Sequence, residues 1–245
     1  MNRNRHTRRA RIGALVIPVV GLLGLGACSD DEPDEVPTET TEAPTAQDRL
    51  EQAREVLTEA GSVHLTMVGE NLPEELDAYV ISADGSGTME PPAFEGTITA
   101  KVAGVQADVP TVAVDDQLYV QLPFTPGYIS ASPEALNVPD PAQLFDVDAG
   151  VVSLLSKTDD AEFGEQSREG REIVQEVTGT LPGQAIIDLL NVGEDTATFE
   201  VTYALVEEDW QVRTVTLTGP FYPQAESTYT VTLDQYGEPV TVTAP

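Results

Sequence analysis

From residue 62 onward the chain is a succession of short alternating runs separated by turn signals, and this pattern restricts the fold more than any other feature. Residues 62–69 set Val63, Leu65 and Met67 on one face and Ser62, His64 and Thr66 on the other, the period of a half-buried strand. Runs at 78–88, 94–102 and 109–114 follow; Asp115-Asp116 reads as a turn, and 117–122 returns with Leu118 and Val120 on one face. Strands resume at 161–169 and 171–178, joined at Glu169-Gly170, then at 197–206, 210–218, 227–233 and 239–243. Gly85-Ser86-Gly87 reads as a flexible bend. A helix is predicted over 47–60, with Leu50, Ala53 and Leu57 on one stripe, Thr45 and Asp48 at capping-box spacing and Gly61 as its stop. Shorter helices are predicted after the cap Asp140-Pro141, after Asp148, and over 182–190. Tight-turned antiparallel strands with clustered helices argue for α+β rather than βαβ repeats, in one domain over 47–245.

Residues 1–27 have a different grammar. Five arginines precede an apolar stretch from Ile12 to Gly26, and the only cysteine, Cys28, follows Leu25-Gly26-Ala27. A basic end, a short apolar core and small residues make an export signal. The apolar run of about 15 residues falls short of the roughly 20 needed to span a bilayer. Cysteine at that place resembles the lipobox of bacterial lipoproteins, which implies cleavage before Cys28 and alkylation of its thiol by diacylglycerol, with palmitate-type chains as the anchor. The expected address is the extracytoplasmic face of the cell membrane. Residues 28–46 then read as the lipidated cysteine and a disordered tether, because seven acids, three prolines and four threonines leave nothing large to bury except Val36. The tether reaches at most ~60 Å at about 3.3 Å per residue, and its threonines beside proline suit O-glycans.

Loss of residues 1–27 takes five arginines and no acid, moving the net charge from −30 to −35. Nucleic acid is thereby excluded as a partner, since phosphate binding needs clustered Lys and Arg. With Cys28 modified, no thiol remains for disulfides. No zinc ligand set exists, and the paired acids at turns lack the spacing of a calcium loop. A serine triad would have to use His64, which sits on the polar face of its strand beside Ser62 and Thr66. No nucleophile elbow, phosphate loop or dinucleotide fingerprint occurs. No catalytic residue, metal site or cofactor is therefore assigned, and the chain is expected not to be an enzyme. The inward positions are mostly small or medium, with few aromatics. Composition alone favours a tight core over a cavity, and periodicity cannot decide between them.

Three further stretches carry a family resemblance: Val114-Asp115-Asp116-Gln117-Leu118-Tyr119-Val120, the segment from Asp140-Pro141 to Gly150-Val151, and the closing Tyr236-Gly237-Glu238-Pro239-Val240. With the lipobox and the Ser-x-His step at Ser62, they resemble, in order, the LppX/LprA/LprF/LprG family of mycobacterial-type lipoproteins. Val147 stands where that pattern has proline. The resemblance implies a half-barrel: a strongly curved antiparallel β-sheet with helices packed on its concave face, enclosing a hydrophobic cavity for the acyl chains of envelope lipids or glycolipids. It also implies that Ile98, Ala100 and Val102 line that cavity, with Val63, Leu65, Met67 and Ile81 on adjacent strands and Val151, Leu154 and Leu155 on the facing helix as further candidates. The expected function is a membrane-anchored, non-enzymatic lipoprotein that carries or presents such lipids, often beside a membrane efflux transporter. The alternative is an accessory or scaffold lipoprotein for a transporter or cell-wall enzyme.

Overall fold

The computed structural model describes residues 43–123, 125–133 and 138–245. The signal, Cys28 and most of the expected tether lie outside the described residues. The chain enters through helix α1 (Ala46–Ala60), which has the expected capping box: Thr45 Oγ1 accepts from Asp48 N at 3.1 Å, and Asp48 accepts from Thr45 N at 2.8 Å. Bonds donated to its carboxylate by Thr45 N and Thr45 Oγ1 hold the Asp48 carboxyl below the usual carboxylate range. Leu50, Ala53 and Leu57 are buried on one stripe, and Gly61 ends the helix at φ 70°.

Eleven strands among the described residues form one antiparallel sheet: β1 (Ser62–Glu70), β2 (Tyr79–Met89), β3 (Pro92–Val102), β4 (Val105–Val114), β5 (Gln117–Val120), β6 (Ile129–Ala131), β7 (Asp159–Glu169), β8 (Glu172–Pro182), β9 (Thr198–Val206), β10 (Val212–Tyr222) and β11 (Ala225–Asp234). The order is β6-β5-β4-β3-β2-β1-β11-β10-β9-β8-β7, so the first long strand pairs with the last and the sheet stays open at β6 and β7. A 3-10 turn (Pro141–Phe145) and two short helices, α2 (Val151–Lys157) and α3 (Gly183–Leu190), join α1 to cover one face. The covered face is set by register. Met67 pairs with Ala83 and Val231, Val231 with Val215, and Val215 with Tyr203, and all five are buried. This is the antiparallel α+β arrangement that the alternation pointed to and the half-barrel that the resemblance implied.

Three local expectations need correction, and one strand escapes the sequence reading. Asp148 does not cap α2: the helix begins after Gly150, and the Asp146 carboxylate instead accepts from Asp148 N and Ala149 N at 2.8 and 2.7 Å. Gly150 is required there, since a Cβ would lie within 2.6 Å of three carbonyl oxygens. Gly85-Ser86-Gly87 is no bend but the middle of β2. Residues 239–243 form no strand, because β1 is already paired on both sides by β2 and β11; the tail is held instead by Gly237 N donating to Ser62 O and Ser62 Oγ to Glu238 O. Strand β6, of three residues, carries too little alternation to be read from sequence.

Candidate functional site

Between the concave face and the helices lies a small apolar cavity of about 20 Å³, whose wall presents no polar atom. The sheet supplies Leu65 and Met67 from β1, Tyr229 and Val231 from β11, and Val215 and Leu217 from β10. The helical layer supplies Val151 and Leu154 from α2, Leu189 and Leu190 from α3, and Leu144 from the 3-10 turn. Nine of these are buried. Leu144 on the 3-10 turn and Leu190 at the end of α3 are half-buried and keep contact with solvent.

Of the expected lining residues, Leu65, Met67, Val151 and Leu154 meet at this cavity. Val63 and Leu155 are buried in the surrounding core without facing it. Ile98 and Ala100 are half-buried on β3, and Ile98 packs against the core outside the cavity wall. Val102 is 52% exposed, being the last residue of β3 before the Ala103-Gly104 turn, beyond the cover of the helices. Ile81 is displaced by a bulge: Val80 pairs with Ala100 and Ser82 with Thr99, so Ile81 is the extra residue and Val80 packs inward in its place. The wall residues on β10 and β11 were visible as alternating runs. Their meeting with β1 was not, because β1 and β11 pair across the length of the domain.

One ring at the cavity carries a hydroxyl, and that hydroxyl is turned away. Tyr229 donates to Val80 O at 2.8 Å and accepts from Tyr222 at 2.7 Å. Burial, reinforced by the Tyr222 contact, pushes the Tyr229 phenol well above its ordinary range. Tyr203, also pushed up by burial, is bonded to Thr158 at 2.8 Å. His64 lies on the opposite, convex face, its Nδ1 2.8 Å from Asp234 and its Nε2 3.6 Å from Asp84. It is a strand-bridging side chain remote from the cavity.

An open half-barrel filled by helices around a wholly apolar cavity defines the structural class. The family model described as LppX_LprAFG lipoprotein matches residues 45–242, and the chain belongs to that family. It is similar along 98% of its length to the lipoarabinomannan carrier protein LprG of Mycolicibacterium hassiacum, at 28% identity over 241 residues and 98% of that protein. The lipoarabinomannan carrier protein LprG of Mycobacterium tuberculosis is 26% identical over 247 residues, covering 98% of this chain and 97% of that one. Among solved structures, LprF from Mycobacterium bovis aligns with a TM-score of 0.68 at 18% identity, covering 82% of this chain and 96% of its own. LppX from Mycobacterium tuberculosis aligns at 0.59 and 17%, covering 81% and 98%. At those identities the structures support the fold.

Proposed function

We propose that this protein is a lipoprotein, anchored to the cell membrane through Cys28, that carries or presents acylated lipids or glycolipids in the cell envelope. The observation that carries the reading is the cavity wall, which is apolar throughout and set between sheet and helices. Such a wall offers nothing to a polar substrate and everything to an acyl chain, at about 0.8 kcal/mol per methylene buried. That relatives are named lipoarabinomannan carriers supports the same ligand class. The mechanism is desolvation: chains leave the bilayer for the apolar interior through the gap between Leu144 and Leu190, and the headgroup stays outside. At about 20 Å³ the cavity has room for little more than a water-sized probe, so loading requires it to widen. The nearly filled interior is what favours the second reading, an accessory or scaffold lipoprotein for a membrane transporter or cell-wall enzyme.

One experiment separates anchoring from carrying. Wild type, Cys28→Ala and Leu190→Trp full chains are fractionated and assayed for uptake of a fluorescent glycolipid. Cys28→Ala is expected to leave the membrane fraction yet load normally. Leu190→Trp, filling that gap, is expected to stay on the membrane and load about tenfold less, the equivalent of 1.4 kcal/mol. Membrane retention of Cys28→Ala contradicts the anchor, and unchanged loading of Leu190→Trp contradicts that route.

A further inference from the structure

Nine large apolar side chains are exposed among the described residues, and five of them stand at one end of the sheet: Val102, Val105, Leu122, Tyr128 and Ile129. Strand β3 runs toward this end and β4 away from it, with Val102 paired to Val105 across the Ala103-Gly104 turn. Strand β5 returns along β4 as far as Gln121, whose N donates to Pro110 O, so the loop to β6 leaves from the same end. Val105 is the most exposed of the five, at 66%.

Register fixes which way these side chains face. Side chains alternate along a strand, so Val102 shares a face with Ala100 and Ile98, and Val105 with Ala107 and Val109. Ile98, Ala107 and Val109 pack in the core, so both valines continue the concave face past the end of its helical cover. Ile129 is the cross-strand partner of Val120, which also belongs to the core. Asp108 is turned to the convex face, where it accepts from Thr99 Oγ1 at 2.8 Å.

Charge separates this end from the rest of the molecule. Residues 102–107 and 117–133 hold no charged residue, in a chain where charged residues make up 22% and the net charge is −30. A contiguous exposed apolar surface marks an interaction site, and one cleared of charge fits a partner that cannot solvate charge. Lys101 stands directly behind the tip, its Nζ donating to Glu74 O at 2.6 Å and lying 5.5 Å from the Tyr79 ring centroid. A lysine so placed lays its stem along apolar surface and keeps its ammonium at the polar boundary. Tyr128 has the amphipathic ring that suits the same boundary. Asp77, whose carbonyl accepts from Gly104 N at 2.9 Å, bounds the patch on the β2 side and keeps insertion shallow.

We propose that this end of the sheet docks on a lipid bilayer, with Val102, Val105, Leu122 and Ile129 entering the hydrocarbon boundary and Lys101 and Tyr128 at the headgroups. The proposal goes beyond the carrier reading and takes from it only the anchor at Cys28. Residues 28–42 reach up to about 50 Å at about 3.3 Å per residue. Strand β3, of eleven residues, spans about 36 Å, so a chain held at Cys28 can bring either end of its sheet to the membrane. The acidic surface around the patch is repelled by anionic lipid, so the bilayer it fits is electroneutral.

The test uses the full chain with Cys28→Ala, which has no other cysteine, so that one introduced thiol carries an environment-sensitive fluorophore. Labels are placed by Val105→Cys, by Ile129→Cys and, as a control on the opposite edge strand, by Phe163→Cys, which is also exposed. Each is titrated with vesicles of pure phosphatidylcholine. Blue-shifted emission from the Val105 and Ile129 labels, with the Phe163 label unmoved, is the expected result. Val102→Asp/Val105→Asp, labelled at Ile129, is expected to bind about tenfold more weakly, because two apolar side chains are withdrawn from hydrocarbon. No shift at Val105, equal shifts at all three labels or unchanged affinity of the double variant overturns the proposal. So does a shift that appears only with vesicles containing membrane protein, which makes the partner a protein. Docking without uptake of a fluorescent glycolipid defeats the carrier reading and leaves the docking surface standing. Uptake with no shift at any label does the reverse.

Discussion

Tyr229 shows how one side chain serves both the wall and the fold. Its ring completes an apolar surface while its hydroxyl, bonded to Val80 and Tyr222, braces β11 against β2. Tyr203, Tyr222 and Tyr236 are likewise held protonated, burial being the first cause in each. In the folded chain these phenols keep protons that the unfolded chain releases near the ordinary value of 10.0. Stability is therefore intact below about pH 10 and falls as the pH rises beyond it toward the folded-state values. Followed through an alkaline titration, tyrosinate absorbance from these residues is expected to appear together with loss of the far-ultraviolet circular dichroism. Full tyrosine ionisation with the native spectrum retained would contradict their burial. At this scale the sequence was legible where alternation was regular, as at Leu65 and Met67. It failed at Ile81, where one extra residue in β2 reverses the faces, and at Gly85 and Gly87, whose role depends on rings contributed by β3 and a distant turn.

Turns decide how the strands meet, and they differ in quality. Asp115 and Asp116 take φ of 54° and 57°, the left-handed pair that suits a two-residue hairpin and that aspartate tolerates. Ala103 and Gly104 close the β3–β4 hairpin with φ of 50° and 78°, and there alanine bears a Cβ in a region it disfavours. Ala103→Asn is expected to raise the unfolding free energy by about 1 kcal/mol, measured by denaturant titration. A lower midpoint would show that the hairpin is not closed this way. Helix α1 was readable to within a residue because its cap, stripe and stop all lie within it. Helix α2 was readable in its apolar residues but not in its start, since Asp146 and the packing around Gly150 replace the expected cap.

For the whole molecule, the pairing of β1 with β11 is what turns eleven strands into one curved sheet with a single concave face. That pairing, and with it the position of the cavity, could not be read from local periodicity; the family resemblance anticipated the architecture and offered wall candidates on β3, on β1 and β2 and on the facing helix, of which Leu65, Met67, Val151 and Leu154 line the cavity. The structure puts free space under β1, β10 and β11 and fills the β3 side with Phe94 and Phe145. Exposing a buried phenylalanine costs roughly 1.5–3 kcal/mol, which about two to four methylenes offset at about 0.8 kcal/mol each. Any long chain exceeds that threshold, so a cavity of about 20 Å³ is compatible with a carrier. The most direct measurement is mass spectrometry of the organic extract of the purified full chain, because chains bonded to Cys28 stay with the protein while a carried lipid is released. An acylated lipid in near-equimolar amount is the expected result. An extract without lipid, from protein that also takes up no added glycolipid, would contradict the account.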